Sequence, residues 1–415
     1  MSQGDGNILL YGATGFSGAL IAAEGETRGM TRHGNDCRMT VAARDGRALR
    51  EVAKRHQMDF RVFDLDSRHE ILKQLDGFNV VINAAGPFAL TAKALATAAL
   101  EARCHYVDIN GELDVYRNID DLGPKADQRG VAIVSGAGAT AAASDVLLDL
   151  ALFKLQKGGR ASADKPFRVV RIAAKQSVNI TRGSAASAAR SLRDQVAVVR
   201  LDPEVKSPKL EEQMRASHEP VGKLERAFDF GPRPDDPEPT AQAKGPQPKQ
   251  ARLRIACAVN MIDTLTAKHT LVRRGLRADR IETYLEMGAL GRISYQAGAL
   301  LSPFISAPWV RAVTAAQLSL LPDRLTQSEL KGDRHDTVLE IENELRQRVV
   351  DWRWRTPNVY EFTAQLTVGV AAKITKSTLM GWVTPAEALG EDSLTKELAF
   401  RECDQIEERQ STPLL

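Results

Sequence analysis

The stretch Ile8-Leu9-Leu10-Tyr11-Gly12-Ala13-Thr14-Gly15-Phe16-Ser17-Gly18 decides how this chain is read. Four apolar residues run into a turn with three glycines, and an Ala- and Leu-bearing segment follows, so the order is strand, tight turn and helix. In such a turn one glycine permits the sharp change of direction and a second lets a pyrophosphate approach bare backbone. The third lets helix and strand pack closely, and the phosphates rest on the free N–H groups at the positive end of the helix dipole. The spacing is G-x-x-G-x-x-G rather than the commoner G-x-G-x-x-G. A ligand-free glycine turn is the plainer alternative, but strand, turn and helix in sequence favour dinucleotide binding. Gly12, Thr14, Gly15, Phe16, Ser17 and Gly18 are the residues expected to hold it.

Working outward, short apolar runs at residues 8–11, 39–43, 60–63, 80–83, 106–109 and 131–134 alternate with helical stretches such as 92–102. That alternation is the pattern of a parallel sheet with crossover helices. The second run ends in Ala42-Ala43-Arg44-Asp45, at the place where an acidic residue would bind a ribose hydroxyl. Arg44 comes first, and a guanidinium pairs well with a 2′-phosphate, which favours NADP(H) while Asp45 leaves room for NAD. Asp64 follows the third run and is expected at the adenine end or as a cap. Ala84, Ala85, Gly86 and Pro87 follow the fourth run and are small enough to leave space for a ligand.

The remainder has a different texture. Runs at 167–173 and 252–259 read as strands, residues 184–192 as a small-residue helix, 337–342 and 349–354 as a hairpin, and 360–374 as a buried helix. Residues 203–248 contain nine of the 18 prolines and read as a long exposed loop. Thr384-Pro385-Ala386-Glu387 has the pattern of a helix N-terminus with a capping box. The expected fold is therefore α/β: a Rossmann-type doubly wound parallel sheet over 1–150, completed by C-terminal helices over 358–415. A second α+β domain over 151–357 would serve substrate binding and dimerisation.

Composition limits the functional classes. The 415 residues are 43% hydrophobic with 56 basic against 53 acidic side chains, which suits a folded chain and disfavours a nucleic-acid binder. The four cysteines form no C-x-x-C pair, so neither a metal site nor a disulfide framework is expected. Residues 1–6 lack the character of a signal peptide, and a cytoplasmic location is expected. The uncharged stretch 293–310 contains Pro303 and Pro308 and is not read as a spanning helix. It could form an apolar surface for a membrane, a lipid chain or a partner subunit, but packing in the second domain is the favoured expectation.

The segments 12–18 (GATGFSG), 83–88 (NAAGPF) and 105–112 (HYVDINGE) are similar to the saccharopine dehydrogenase-like oxidoreductases, the branch that includes trans-acting enoyl reductases. The resemblance continues through 181–187, 261–264, 272–274, 356–360 and 383–390. It implies a nicotinamide-dependent oxidoreductase acting on a small-molecule or acyl substrate, often as a homodimer. One departure is Gly138 to Ala143 preceding Ser144-Asp145, where enoyl reductases usually carry a Phe-Asp-Ser-Val-Pro-like run.

A nicotinamide enzyme must hold the hydride-bearing carbon near its substrate and manage one proton. Tyr106 and Asp108 share a strand face and are the candidate proton handlers, with Glu112 and Lys93 as weaker candidates. A core tyrosine beside a capping aspartate is the plainer reading. No tyrosine has a lysine four residues later, which disfavours the short-chain dehydrogenase mechanism. No H-E-x-x-H, G-x-S-x-G or P-loop lysine is present. The expected reaction is reduction of a C=C, C=N or C=O bond, and the alternative is a non-catalytic dinucleotide sensor or scaffold.

Overall fold

A computed structural model describes residues 6–34, 37–175, 179–190, 195–202, 204–205, 209–231, 253–301, 304, 307–331, 333–390, 401 and 403–409. The strands in chain order are β1 (Gly6–Tyr11), β2 (Cys37–Ala43), β3 (Asp59–Val62), β4 (Val80–Asn83), β5 (His105–Asp108), β6 (Ala132–Val134), β7 (Val169–Ala174), β8 (Gln195–Leu201), β9 (Met214–Pro220), β10 (Glu225–Asp229), β11 (Leu253–Ala258), β12 (Arg280–Glu286), β13 (His335–Glu342), β14 (Arg348–Thr356), β15 (Gly381–Trp382) and β16 (Glu407–Glu408). The helices begin with α1 (Phe16–Thr27), α2 (Gly46–Arg55), α3 (Arg68–Leu75), α4 (Phe88–Glu101), α5 (Leu113–Asp120), α6 (Gly123–Arg129) and α7 (Ala139–Lys157). They continue with α8 (Arg182–Arg190), α9 (Leu210–Gln213), α10 (Asp263–Arg273), α11 (Ala289–Leu301), α12 (Pro308–Ser319), α13 (Gln327–Lys331), α14 (Val359–Ile374) and α15 (Pro385–Leu389).

The first sheet is parallel and ordered β15-β6-β5-β4-β1-β2-β3. The chain order therefore reverses between β1 and β4, and the crevice at that reversal is where doubly wound sheets bind ligands. Alternation along β1 divides its side chains. Ile8 and Leu10 join one core with α7 and α14, while Leu9 and Tyr11 join the core under α3 to α6. Six strands of this sheet were expected, and β15 extends it with residues 381–382.

Among the described residues the second sheet is mixed and has nine strands. Its main path is β10-β11-β12-β7-β13-β14-β16, with β8 and β9 branching from β12. One core cluster runs from Ile8 through Leu147 and Leu148 of α7 to Ile172 and Leu339 of the second sheet. The hairpin, the strand near 253 and α14 appear close to their expected bounds. At α15 the Thr384 hydroxyl accepts from the Glu387 N–H at 3.3 Å.

Two expectations are corrected. Residues 214–220 and 225–229, read as loop because of nearby prolines, are strands whose partners come from β8 and β11. Residues 203, 206–208 and 232–248 of that stretch lie outside the described residues. The second correction concerns the 293–310 region, expected to pack inside. Ile293, Leu300 and Phe304 are exposed, because α11 turns Tyr295 and Ala299 inward instead. Among the described residues no helix is long and apolar enough to cross a membrane.

Candidate functional site

The glycine turn sits at the carboxyl end of β1, beside the sheet's reversal. Gly12 has φ +91°, a conformation costly for residues with a side chain, and a Cβ there would lie 2.6 Å from the Ala85 nitrogen. A Cβ on Gly18 would overlap the Gly12 carbonyl oxygen. The turn thus needs glycine both for its path and for the closeness of α1 to β1. Gly15 is the N-cap of α1 and provides no side-chain acceptor for the first-turn N–H groups. Those donors remain available to an anion at the positive end of the helix, and Gly15 is exposed. This bare cradle fits a dinucleotide pyrophosphate.

At the adjacent strand ends, Arg44 and Asp64 are exposed and their charges act on the Tyr11 hydroxyl. Burial is the main cause pushing that hydroxyl up to about 12. The Asp45 carboxylate accepts from Arg47 and Ala48 N–H at 2.9 and 3.1 Å, capping α2. Asp64 instead accepts from Asp66 N–H at 3.0 Å, and the cap of α3 is Ser67.

Ala84 and Ala85 lie against the glycine turn, and a cis peptide joins Gly86 to Pro87. Asn83 holds this loop: its side-chain oxygen accepts from Ala85 N–H at 3.1 Å, and its amide donates to the Tyr106 hydroxyl at 3.1 Å. Thr91 donates to the Ala85 carbonyl at 2.6 Å.

Tyr106 and Asp108 are both fully buried. Tyr106 packs with Leu9 and Val81, and burial together with the charge of Asp108 pushes its hydroxyl well above the ordinary range. Asp108 accepts from Asn110 N–H at 3.0 Å, the Ser135 hydroxyl at 2.9 Å and Gly136 N–H at 2.9 Å. Burial raises its carboxyl against those donors. The pair therefore ties β5 to the loop after β6, inside the protein. Lys93 is exposed, whereas Glu112 is buried and accepts from the Ser187 hydroxyl of α8 at 2.9 Å.

The structure adds residues that spacing did not single out. Tyr360 of α14 meets Phe16 edge-to-face with ring centroids 5.1 Å apart. Its hydroxyl accepts from Thr181 N–H at 2.8 Å and donates to Ser184 at 2.9 Å. Tyr360 thereby links Phe16 at the start of α1 to Thr181 and to Ser184 of α8. Arg324 donates to the Thr14 carbonyl at 3.0 Å, so a second segment also reaches the turn. Tyr360 lay within a recognised C-terminal segment, but only the three-dimensional packing joins residues so far apart in the chain.

Residues 8–134 match the family model described as the saccharopine dehydrogenase NADP binding domain. A lipid droplet localized protein of Caenorhabditis elegans is 31% identical over 142 residues, 32% of this chain and 33% of that protein. A trans-acting enoyl reductase of Mycobacterium tuberculosis is 30% identical over 146 residues, 34% of each. The chain thus aligns with about a third of the length of these curated relatives. Among solved structures, saccharopine dehydrogenase (L-Glu forming) from Saccharomyces cerevisiae superposes with a TM-score of 0.57 at 13% identity, covering 98% of this chain and 100% of that one. Homospermidine synthase from Legionella pneumophila, solved with NAD, gives 0.55 at 11% identity, covering 92% and 86%. These two likenesses concern the fold. With its bare glycine cradle at the reversal of a 3-2-1-4-5-6 sheet, the chain is similar over residues 8–134 to the saccharopine dehydrogenase NADP binding domain.

Proposed function

We propose that this protein is an NADP-dependent oxidoreductase that reduces a C=C, C=N or C=O bond in a small organic or acyl substrate. The carrying observation is the arrangement around β1 and β2. The backbone at Gly12, Gly15 and Gly18 leaves a cradle for the pyrophosphate, while Arg44 is exposed and Asp45 is engaged as a helix cap. A guanidinium at that strand end suits a 2′-phosphate, and an aspartate committed to capping is a poor acceptor for a ribose hydroxyl. Asp64 would face the adenosine, and Ala84, Ala85, Gly86 and Pro87 would leave space for the rest of the dinucleotide.

The dinucleotide, when bound, supplies the hydride. The chain's task is to orient it and the substrate and to exclude water. Phe16, Tyr360, Thr181 and Ser184, joined by a ring contact and hydrogen bonds, would position the substrate, together with Glu112, which accepts from Ser187 of α8. Tyr106 and Asp108 act as positioning residues for the loops after β4 and β6. The similarity to a trans-acting enoyl reductase supports reductase chemistry and favours an activated C=C bond.

The test is NADPH oxidation with enoyl, imine and keto substrate panels, alongside cofactor titration. Turnover of one class is expected, with tighter binding of NADPH than NADH; tighter NADH binding would overturn the cofactor assignment. A second reading, a dinucleotide-dependent sensor, draws on the complete burial of Tyr106 and Asp108. NADPH binding with no turnover on any panel would favour it.

A further inference from the structure

Among the described residues, six large apolar side chains between 290 and 320 are exposed to solvent: Leu290 (80%), Ile293 (63%), Leu300 (78%), Phe304 (56%), Val313 (52%) and Leu320 (85%). Their arrangement is regular. Along α11, Leu290, Ile293, Ala297 and Leu300 follow helical spacing and are all exposed, and Phe304 continues the same interval. Tyr295 faces the other way and packs beside Cys257 and Met287, Ala299 is buried, and the Gln296 amide donates to Glu225 at 3.1 Å. The helix is therefore held on the body by its mixed face and presents its apolar stripe outward. Val313 and Ala316 of α12 and its C-cap Leu320 repeat the spacing, also exposed. Large exposed apolar side chains repeated along two successive helices mark a contact site.

Charge identifies the occupant. Residues 287–322 contain no Asp and no Glu, and their two charges are Arg292 and Arg311, in a chain that otherwise balances 56 basic residues with 53 acidic ones. A second copy in a two-fold interface would present the same acid-free segment to itself and bring no opposite charge. An anionic lipid surface supplies both the apolar layer and the opposite charge. We propose that α11 and α12 form a docking surface for an anionic phospholipid bilayer, with the Leu, Ile and Phe side chains inserted at the boundary between headgroups and acyl chains. The surface adjoins the cofactor turn: Arg182 N–H donates to the Pro322 carbonyl at 2.9 Å and Arg324 holds the Thr14 carbonyl.

The experiment is flotation of the 415-residue chain with phosphatidylcholine vesicles, with and without phosphatidylglycerol. The wild type is expected to float with phosphatidylglycerol-containing vesicles, more weakly with phosphatidylcholine alone, and less as salt increases. The double variant Leu300→Asp/Leu320→Asp should lose binding by roughly tenfold or more, the scale of removing apolar insertion at two sites. Leu290→Asp/Ile293→Asp serves as an independent second pair, and Leu345→Asp, exposed on the β13–β14 turn, should float as the wild type does. Thermal unfolding of each variant controls for folding, and no step depends on cofactor or turnover. The proposal is overturned if the wild type stays unbound on phosphatidylglycerol vesicles, or if both folded double variants float unchanged. It is equally overturned if light scattering shows a wild-type dimer that these substitutions convert to monomer, which would assign the patch to a second copy.

Discussion

At the residue scale the cofactor turn depends on atoms that are absent. Gly18 has no room for a methyl group because the Gly12 carbonyl occupies that position, and Gly12 itself abuts the Ala84–Ala85 backbone. Gly18→Ala must displace α1 from β1, so we expect loss of NADPH binding by intrinsic fluorescence titration together with a lowered melting temperature. Arg44 offers a cleaner discrimination because it is exposed and its removal leaves no cavity. Arg44→Ala should raise the NADPH dissociation constant roughly tenfold to a hundredfold, the range of a charge-assisted hydrogen bond. Affinity for NADH should be unchanged; an equal loss for both cofactors would contradict a 2′-phosphate role. Both positions were readable from sequence because backbone conformation and fixed charge are properties of the residue type. The engagement of Asp45 as a cap was not readable, since Asp at a strand end serves either purpose.

At the element scale, α7 concentrates buried acid groups. Asp145 accepts from the Thr270 hydroxyl of α10 and from Ala386 N–H of α15 at 2.7 Å, and burial lifts its carboxyl to about 7. Ser144 donates to Asp263 at 2.6 Å, and burial lifts that carboxyl to about 6. A carboxyl raised on folding takes up a proton, so its contribution to stability is present at acid pH and lost as pH rises from the unfolded carboxylate range through about 7. Asp145→Asn removes this dependence. Relative to the wild type, the variant's melting temperature should therefore improve as pH rises across that window, as read by scanning calorimetry. Buried His335, pushed down to about 4, acts in the opposite sense but is common to both proteins and cancels in the difference. A constant difference between variant and wild type would refute the assignment. Sequence placed Ser144-Asp145 directly after the departure at Gly138 to Ala143, yet nothing in the local spacing joined them to Asp263, Thr270 and Ala386.

At the scale of the whole molecule, α7 joins the two sheets. Asp149, with 2% side-chain exposure, receives Arg274 Nε at 2.5 Å and also pairs with Arg273. Asp149→Ala would leave two guanidinium groups without their shared buried acceptor, a change that typically costs about 3–5 kcal/mol. Urea unfolding should show that loss in a single transition, because the core around α7 contains side chains from both sheets. Two separate transitions in the wild type would show that the sheets unfold independently. By itself the sequence determined the order of the parallel strands' elements, the glycine turn and the cationic end of β2, because periodicity, glycine and charge act over a few residues. Only the tertiary structure decided that β9 and β10 are strands, that Tyr360 links Phe16 to Ser184 of α8, and that the stripe on α11 faces outward. Those outcomes depend on which distant surface each element meets, and the same apolar spacing serves a helix buried in a core and a helix lying on its surface.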